Sequence, residues 1–214
     1  MEILDKKVKL EKLIENGYDF DTSKYLSEGW EIFKKSAGLF ILYALLVFVI
    51  NTLIPFAGII VGAVLFSGYY LAAHKIETTG EVKLEDFFKS FDFFLPLFLA
   101  ALVSGILVSV GILLLILPGL WLAVAISFSY QLIVFEKMDF WESIEFSVKI
   151  INKRWFHFLL LWVVLIAINI VGAIPLGLGL LITFPYTALV FYSCYKNIVG
   201  LKTDREYDLT DHMV

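Results

Sequence analysis

Three stretches of this chain, residues 36–74, 93–135 and 155–195, contain no Asp, Glu, Lys or Arg, and each is about 40 residues long. A helix rises about 1.5 Å per residue and the hydrocarbon core of a bilayer is about 30 Å thick, so one crossing takes about 20 residues. Each stretch therefore holds two crossings and a turn. Three very long helices are the rival arrangement, and the residues near the middle of each stretch argue against it: Pro55 with Gly58, Pro118 with Gly119, and Pro175 with Gly177. Proline loses the backbone donor and glycine supplies the conformations of a tight reversal. The expected turns are at Pro55, Pro118, Gly119 and Pro175.

Composition agrees with a membrane solvent. Of the 214 residues 60% are hydrophobic and 18% charged, and the mean hydropathy is +0.85. A soluble domain runs nearer about 45–50% apolar and about 25% charged. The formal net charge of −4 hides the placement of the charges. All 17 Lys and Arg fall in the N-terminal segment, in the connections around Lys75 to Lys89 and Lys137 to Arg154, and in the tail from Lys196; the three turns have none. Basic flanks stay on the cytoplasmic side, so both termini and the charged connections are expected inside and the turns outside. No signal peptide is expected, because the first apolar run begins only after Lys35.

The predicted fold is all-α: a polytopic bundle of six transmembrane helices in three hairpins (about 36–74, 93–135 and 155–195), multi-pass in the cell (inner) membrane. Residues 1–22 form a cytoplasmic N-terminal segment, 23–200 the membrane domain and 201–214 a cytoplasmic tail. Before each hairpin an apolar face recurs at helical spacing: Leu26, Trp30, Phe33 and Ala37; Leu84, Phe87, Phe88 and Phe91; Trp141, Ile144, Val148, Ile151 and Trp155. A Glu precedes a Lys by four residues in each segment, at 31 and 35, 85 and 89, 145 and 149. Such segments are expected to lie in the cytoplasmic interface as amphipathic helices. Together with the turns they suggest a degenerate threefold repeat. In the N-terminal segment Ile3, Leu4, Val8, Leu13 and Ile14 form an irregular apolar face, and Asn16-Gly17 reads as a helix stop.

Candidates for chemistry are few. No ionisable residue falls deep in a predicted span, where its burial would call for a functional reason. His74 and His157 fall near the cytoplasmic interface and are expected to be solvated. The intramembrane polar positions are Asn51, Gln131, Asn169, Tyr186 and Thr187, with Thr183 and Tyr192 beside them; they either join helices or line a polar cavity. Pro185 is expected to kink the sixth helix near its middle. Gly58 and Gly62, Gly105 and Ser109, and Ala123 and Ser127 have the spacing of close helix packing. Cys194 stands alone, so neither a disulfide framework nor a cysteine metal site is expected. No phosphate-binding loop, dinucleotide fingerprint, hydrolase elbow or zinc motif is present, and no segment is strongly basic, which leaves no cofactor, metal, catalytic residue or nucleic acid to predict.

The run Gly29 to Lys35, the central Leu115-Ile116-Leu117-Pro118-Gly119 and the late Phe184-Pro185-Tyr186 resemble a broad group of uncharacterised prokaryotic six-helix membrane proteins. That group is similar to the membrane domain fused to some glycerophosphodiester phosphodiesterases, and the resemblance covers residues 23–200. It implies a fold. The catalytic residues of the phosphodiesterase belong to a separate soluble domain, so none carries over. The function expected is that of a non-catalytic integral membrane protein supporting an envelope or membrane process through membrane lipids, a protein partner or a second copy of itself. The alternative is a small transporter or channel with a polar path between the hairpins.

Overall fold

The computed structural model describes residues 2–54 and 56–201. The expected turn residue Pro55 and the tail beyond Leu201 lie outside the described residues. All regular structure among those residues is helical: α1 (Glu2–Asn16), α2 (Thr22–Lys35), α3 (Ala37–Leu53), α4 (Ala57–Thr79), α5 (Leu84–Phe88), α6 (Phe94–Leu114), α7 (Ile116–Ala125), α8 (Ser129–Glu136), α9 (Phe140–Asn152), α10 (Trp155–Ala173) and α11 (Leu180–Tyr195). A 3₁₀ turn over Lys89–Phe93 joins α5 to α6, and a π turn over Lys196–Gly200 extends α11.

Four of the helical runs are long and apolar enough to cross a membrane: Gly58–Thr79, Leu84–Leu114, Ile116–Glu136 and Trp155–Ala173. A fifth arises if α2 and α3 count as one broken span, bent by 92° at Ser36. Alone, α3 has 17 residues and α11 has 16. The termini of these helices follow local chemistry. Asp21 Oδ1 accepts from Lys24 N–H at 3.0 Å and Asp139 Oδ1 from Glu142 N–H at 2.9 Å, giving α2 and α9 their N-caps. Gly17 closes α1 with φ +72°, as Asn16-Gly17 predicts.

Two of the three turns differ in detail from expectation. The second reversal lies at Leu115, whose backbone is extended (φ −158°, ψ 131°), and Pro118 and Gly119 sit inside the first turn of α7. Proline costs nothing there, because the N–H it lacks has no partner in a helix's first turn. Gly119 is needed for a different reason: α7 packs on α6 so closely that a Cβ on Gly111 would stand 2.8 Å from Gly119 Cα. The third reversal does contain Pro175, but it runs on to Gly179, with Leu176 and Gly177 at positive φ. Since α11 starts only at Leu180, Pro185 is its sixth residue, near the start of the helix and not at its middle. Its missing donor removes one bond of the second turn.

The amphipathic segments also divide. α2 turns sharply into α3, whereas residues 84–93 run into α6 as one 31-residue stretch, so the second segment is the end of a long helix. The ion pairs shift accordingly. Lys149 meets Glu145 at 2.6 Å as expected, but Glu31 pairs with Lys34 and Lys89 pairs with Asp86. Of the small-residue pairs, Gly62 and Gly105 face open space, while the close crossing is α2 on α11, where a Cβ on Gly29 would lie 2.8 Å from Val190 Cγ2.

Burial is uneven along the bundle. The charged ends of the helices are tightly packed: every residue of α11 from Ala188 to Tyr195 is buried, amid rings of Phe40, Tyr43, Tyr69, Phe87, Phe128 and Phe158. α1 docks there through Leu10, with Lys7 paired to Glu142 on α9. At the ends carrying the turns the large side chains are exposed: Leu53, Ile54, Phe56, Ile59 and Ile60, then Leu113 to Leu117, then Ile174, Leu176 and Leu178. Between them the run Ile116–Glu136 breaks at residues 126–128. Ser147 of α9 repairs the break, its hydroxyl donating to the Ala125 carbonyl at 2.8 Å and accepting from Phe128 N–H at 3.0 Å. Ser147 is fully buried, so Ser147→Ala strands both backbone groups and should cost about 1–3 kcal/mol. Thermal unfolding in mild detergent should show a midpoint lowered by several degrees; an unchanged midpoint would mean water repairs the break.

Candidate functional site

A half-open cavity of about 690 Å³ lies between the helices, with Gly105, Ile166 and Phe184 exposed at its mouth. α4, α6 and α7 supply one side (Phe66, Tyr70, Ser104, Gly105, Ala123) and α10 and α11 the other (Trp162, Leu165, Asn169, Phe184, Thr187). Its walls are mostly aliphatic and aromatic, and no Asp, Glu, Lys, Arg or His is among the residues lining it. The break between α7 and α8 forms part of the wall. There Ser127 donates to the Val124 carbonyl at 2.7 Å and accepts from Trp162 Nε1–H at 2.8 Å, tying the irregular backbone to α10.

Two of the five predicted polar positions line this space. Asn169 donates to the Leu165 carbonyl and to Thr187 Oγ1 at 2.8 and 2.7 Å, and its Oδ1 accepts from Thr183 at 3.0 Å. The amide thus joins α10 to α11 as much as it faces the cavity. The other three are elsewhere. Asn51 is exposed and bonds back to the Val47 carbonyl at 2.8 Å, beside Gly58. Tyr186 crosses to α2 and donates to the Leu26 carbonyl at 3.0 Å. Gln131 is fully buried, and neither end of its amide has a hydrogen-bond partner among the described residues. The structure therefore does not string the predicted polar residues into one path.

The charged end carries a second assembly, which the sequence reading missed. Lys196 Nζ lies 2.8 Å from Glu77 Oε1 and 3.4 Å from Glu28 Oε2, linking α2, α4 and the end of α11. Tyr192 donates to Glu77 Oε2 at 2.9 Å and lies 3.2 Å from His74 Nδ1. Ser193 and Asn197 both donate to Glu28 Oε2. His74 is thus part of a half-buried network and not a solvated interface residue as expected; it packs on the ring of Phe135. The sequence carries a faint trace of this: Tyr192, Ser193, Lys196 and Asn197 share a helix face at three- and four-residue spacing. Nothing in the linear order marks Glu28 and Glu77 as their partners.

No group of three His, Cys, Asp or Glu placed to hold a metal occurs among the described residues. The fold and the cavity define a helical bundle with the lengths and apolarity of a membrane-embedded protein. No protein-family model, curated protein or solved structure matches the chain.

The network should show in the pH dependence of stability. Burial pushes the Glu28 carboxyl up, but bonds from Ser193 and Asn197 and the Lys196 charge outweigh it and hold it below its usual 4.5. A depressed folded-state value means stabilisation present above pH 4.5 and lost as pH falls through that lower value. Glu28→Gln should flatten this acid limb in detergent melts. Lys196→Met should destabilise more at neutral pH, since it strands two carboxylates; equal effects of the two substitutions would break the network reading.

Proposed function

We propose that the protein is a six-crossing integral membrane protein that works through contact with lipid, without catalysing a reaction and without conducting polar solutes. In this reading α3 and α11 are the two shorter crossings. The exposed apolar turns contact the outer face of the cell membrane, and the charged ends with both termini face the cytoplasm. Three hairpins, the first and third preceded by the separate amphipathic helices α2 and α9 and the second by a segment continuous with α6, suit the degenerate repeat and the group of six-helix membrane proteins that the sequence resembles.

The observation that carries the proposal is the lining of the cavity. A transporter or channel needs polar groups at successive depths to replace water around its solute. Here Asn51, Gln131 and Tyr186 are away from the cavity, and Asn169 is engaged with Thr183 and Thr187. A wall mostly of Phe, Trp, Leu, Val, Ile and Ala, interrupted by the side chains of Tyr70, Ser104, Ser127, Tyr130, Asn169 and Thr187 but by no charge, favours hydrocarbon.

Right-side-out membrane vesicles test orientation and conduction together. A membrane-impermeant maleimide should label Leu176→Cys and spare Lys153→Cys, while buried Cys194 stays unlabelled. The same vesicles should leak ions and sugars no faster than vesicles lacking the protein. Labelling at position 153 would invert the topology, and a protein-dependent flux would replace this reading with transport.

A further inference from the structure

Two phenol groups face into the cavity with nothing in the wall to bond. Tyr70 of α4 is 1% exposed and Tyr130 of α8 is partly buried; both line the cavity, and neither hydroxyl has a hydrogen-bond partner among the described residues. The two lie within electrostatic reach of each other. The hydroxyls of Tyr69 and Ser104 are also unpaired, but they are sealed from the cavity, whereas those of Tyr70 and Tyr130 keep surface in it. A phenol left unpaired in an apolar space costs free energy that a native structure normally avoids, so two donors turned into one cavity call for a ligand that accepts from them.

Depth, entry and charge narrow what that ligand is. Tyr70 stands five residues before Lys75 and Tyr130 six before Glu136, about 7.5 and 9 Å along their helices from the charged end. Helical side chains lean toward the N-terminus, which in both helices means away from that end, so the hydroxyls lie deeper still. At the mouth, Gly105 and Ile166 are the twelfth residues of the 21-residue α6 and the 19-residue α10, so the cavity opens sideways at mid-helix depth, onto acyl chains in the membrane reading above. An ionised head there would need a counter-charge, and no Asp, Glu, Lys, Arg or His lines the cavity. Phenols donate and a carbonyl oxygen has two lone pairs, so one uncharged carbonyl can answer both. The rings of Phe66, Trp162, Phe184 and Phe191 join the two tyrosines around the space, and Trp162 is held in place by its bond to Ser127; such faces stack on a flat ring.

We infer that the cavity receives, sideways from the bilayer, a lipid of the quinone type, whose flat ring bears an uncharged carbonyl that accepts hydrogen bonds from Tyr70 and Tyr130. This rests on the lipid-contact reading above and names the ligand class. At about 690 Å³ the cavity falls in the range of pockets that hold small molecules, about 300–1,000 Å³.

Tyr70→Phe and Tyr130→Phe each remove one oxygen atom and no bond of the fold, so in detergent without the ligand both should melt no lower than wild type. The intact protein is then placed in nanodiscs of phosphatidylethanolamine and phosphatidylglycerol containing either a decyl-benzoquinone or dioctanoylglycerol, and native mass spectrometry reads what stays bound. The wild-type protein should retain one copy of the quinone and little of the acylglycerol. Quinone retention should fall about fivefold in each single variant and about twenty-five-fold in the double variant, the loss of one and of two hydrogen bonds. Ser104→Ala, whose hydroxyl has no surface in the cavity, should retain as much as wild type. Preferential retention of the acylglycerol would overturn the ring head. Retention of neither probe, or equal quinone retention by wild type and the double variant, would overturn the site, and a lowered melting point would show the phenols bonded within the fold and do the same. None of those results bears on solute flux, so the site and the non-conducting reading fail separately.

Discussion

The fold depends on one charged residue held at the end of a buried helix. Lys196 sits between Glu28 of α2 and Glu77 of α4, at 3.4 and 2.8 Å, where α11 emerges from the core. Half-buried ion pairs add little net stability, since desolvation offsets attraction, but they penalise wrong arrangements heavily. Three helices meeting at one ammonium can adopt few registers. Tyr192, Ser193 and Asn197, on the same face of the chain, bond to the same two carboxylates and narrow the choice further. With the charged end so fixed, Gly29 lets α2 lie against Val190, and the aromatic core closes around α11.

The other end has no such fastening. The turns carry exposed Leu, Ile and Phe side chains, and α6 and α10 are among the least buried of the long helices. In water this would be an untenable surface; against hydrocarbon it costs nothing. A bundle closed at one end and open toward the other leaves a space between its helices, and the residues around that space decide what enters. Here they are apolar apart from isolated hydroxyls and an amide that is largely satisfied.

Much of this was legible in the sequence at the level of helices. Stretches without charge gave the long apolar runs, Asn16-Gly17 marked a helix end, and Pro175 marked a turn, because each of those signals acts within a few residues. Pro118 misled for a physical reason: proline is equally at home in a turn and in the first turn of a helix, and only the packing of Gly119 on Gly111 distinguishes the two. Pro185 misled because the length of the third turn moved the start of α11. The network of Glu28, Glu77 and Lys196 was invisible because its members are far apart in the chain, and charged residues at helix ends look the same whether they meet water or one another. The cavity was invisible too, since its existence depends on how far apart helices stand. Asn169 was picked out by residue type, Ser104 was not, and only tertiary contacts show that the first is bonded and the second is not.

Whether the space between the hairpins belongs to lipid or to water is the question on which the account turns. A nitroxide attached to Gly105→Cys in bilayers reports this through its collisions with oxygen, which concentrates in hydrocarbon, and with a polar nickel chelate, which stays in water. The account predicts high oxygen and negligible nickel accessibility at position 105, against the reverse at Glu81 in the charged connection. Nickel accessibility at position 105 matching that at position 81 would place water in the cavity and contradict it.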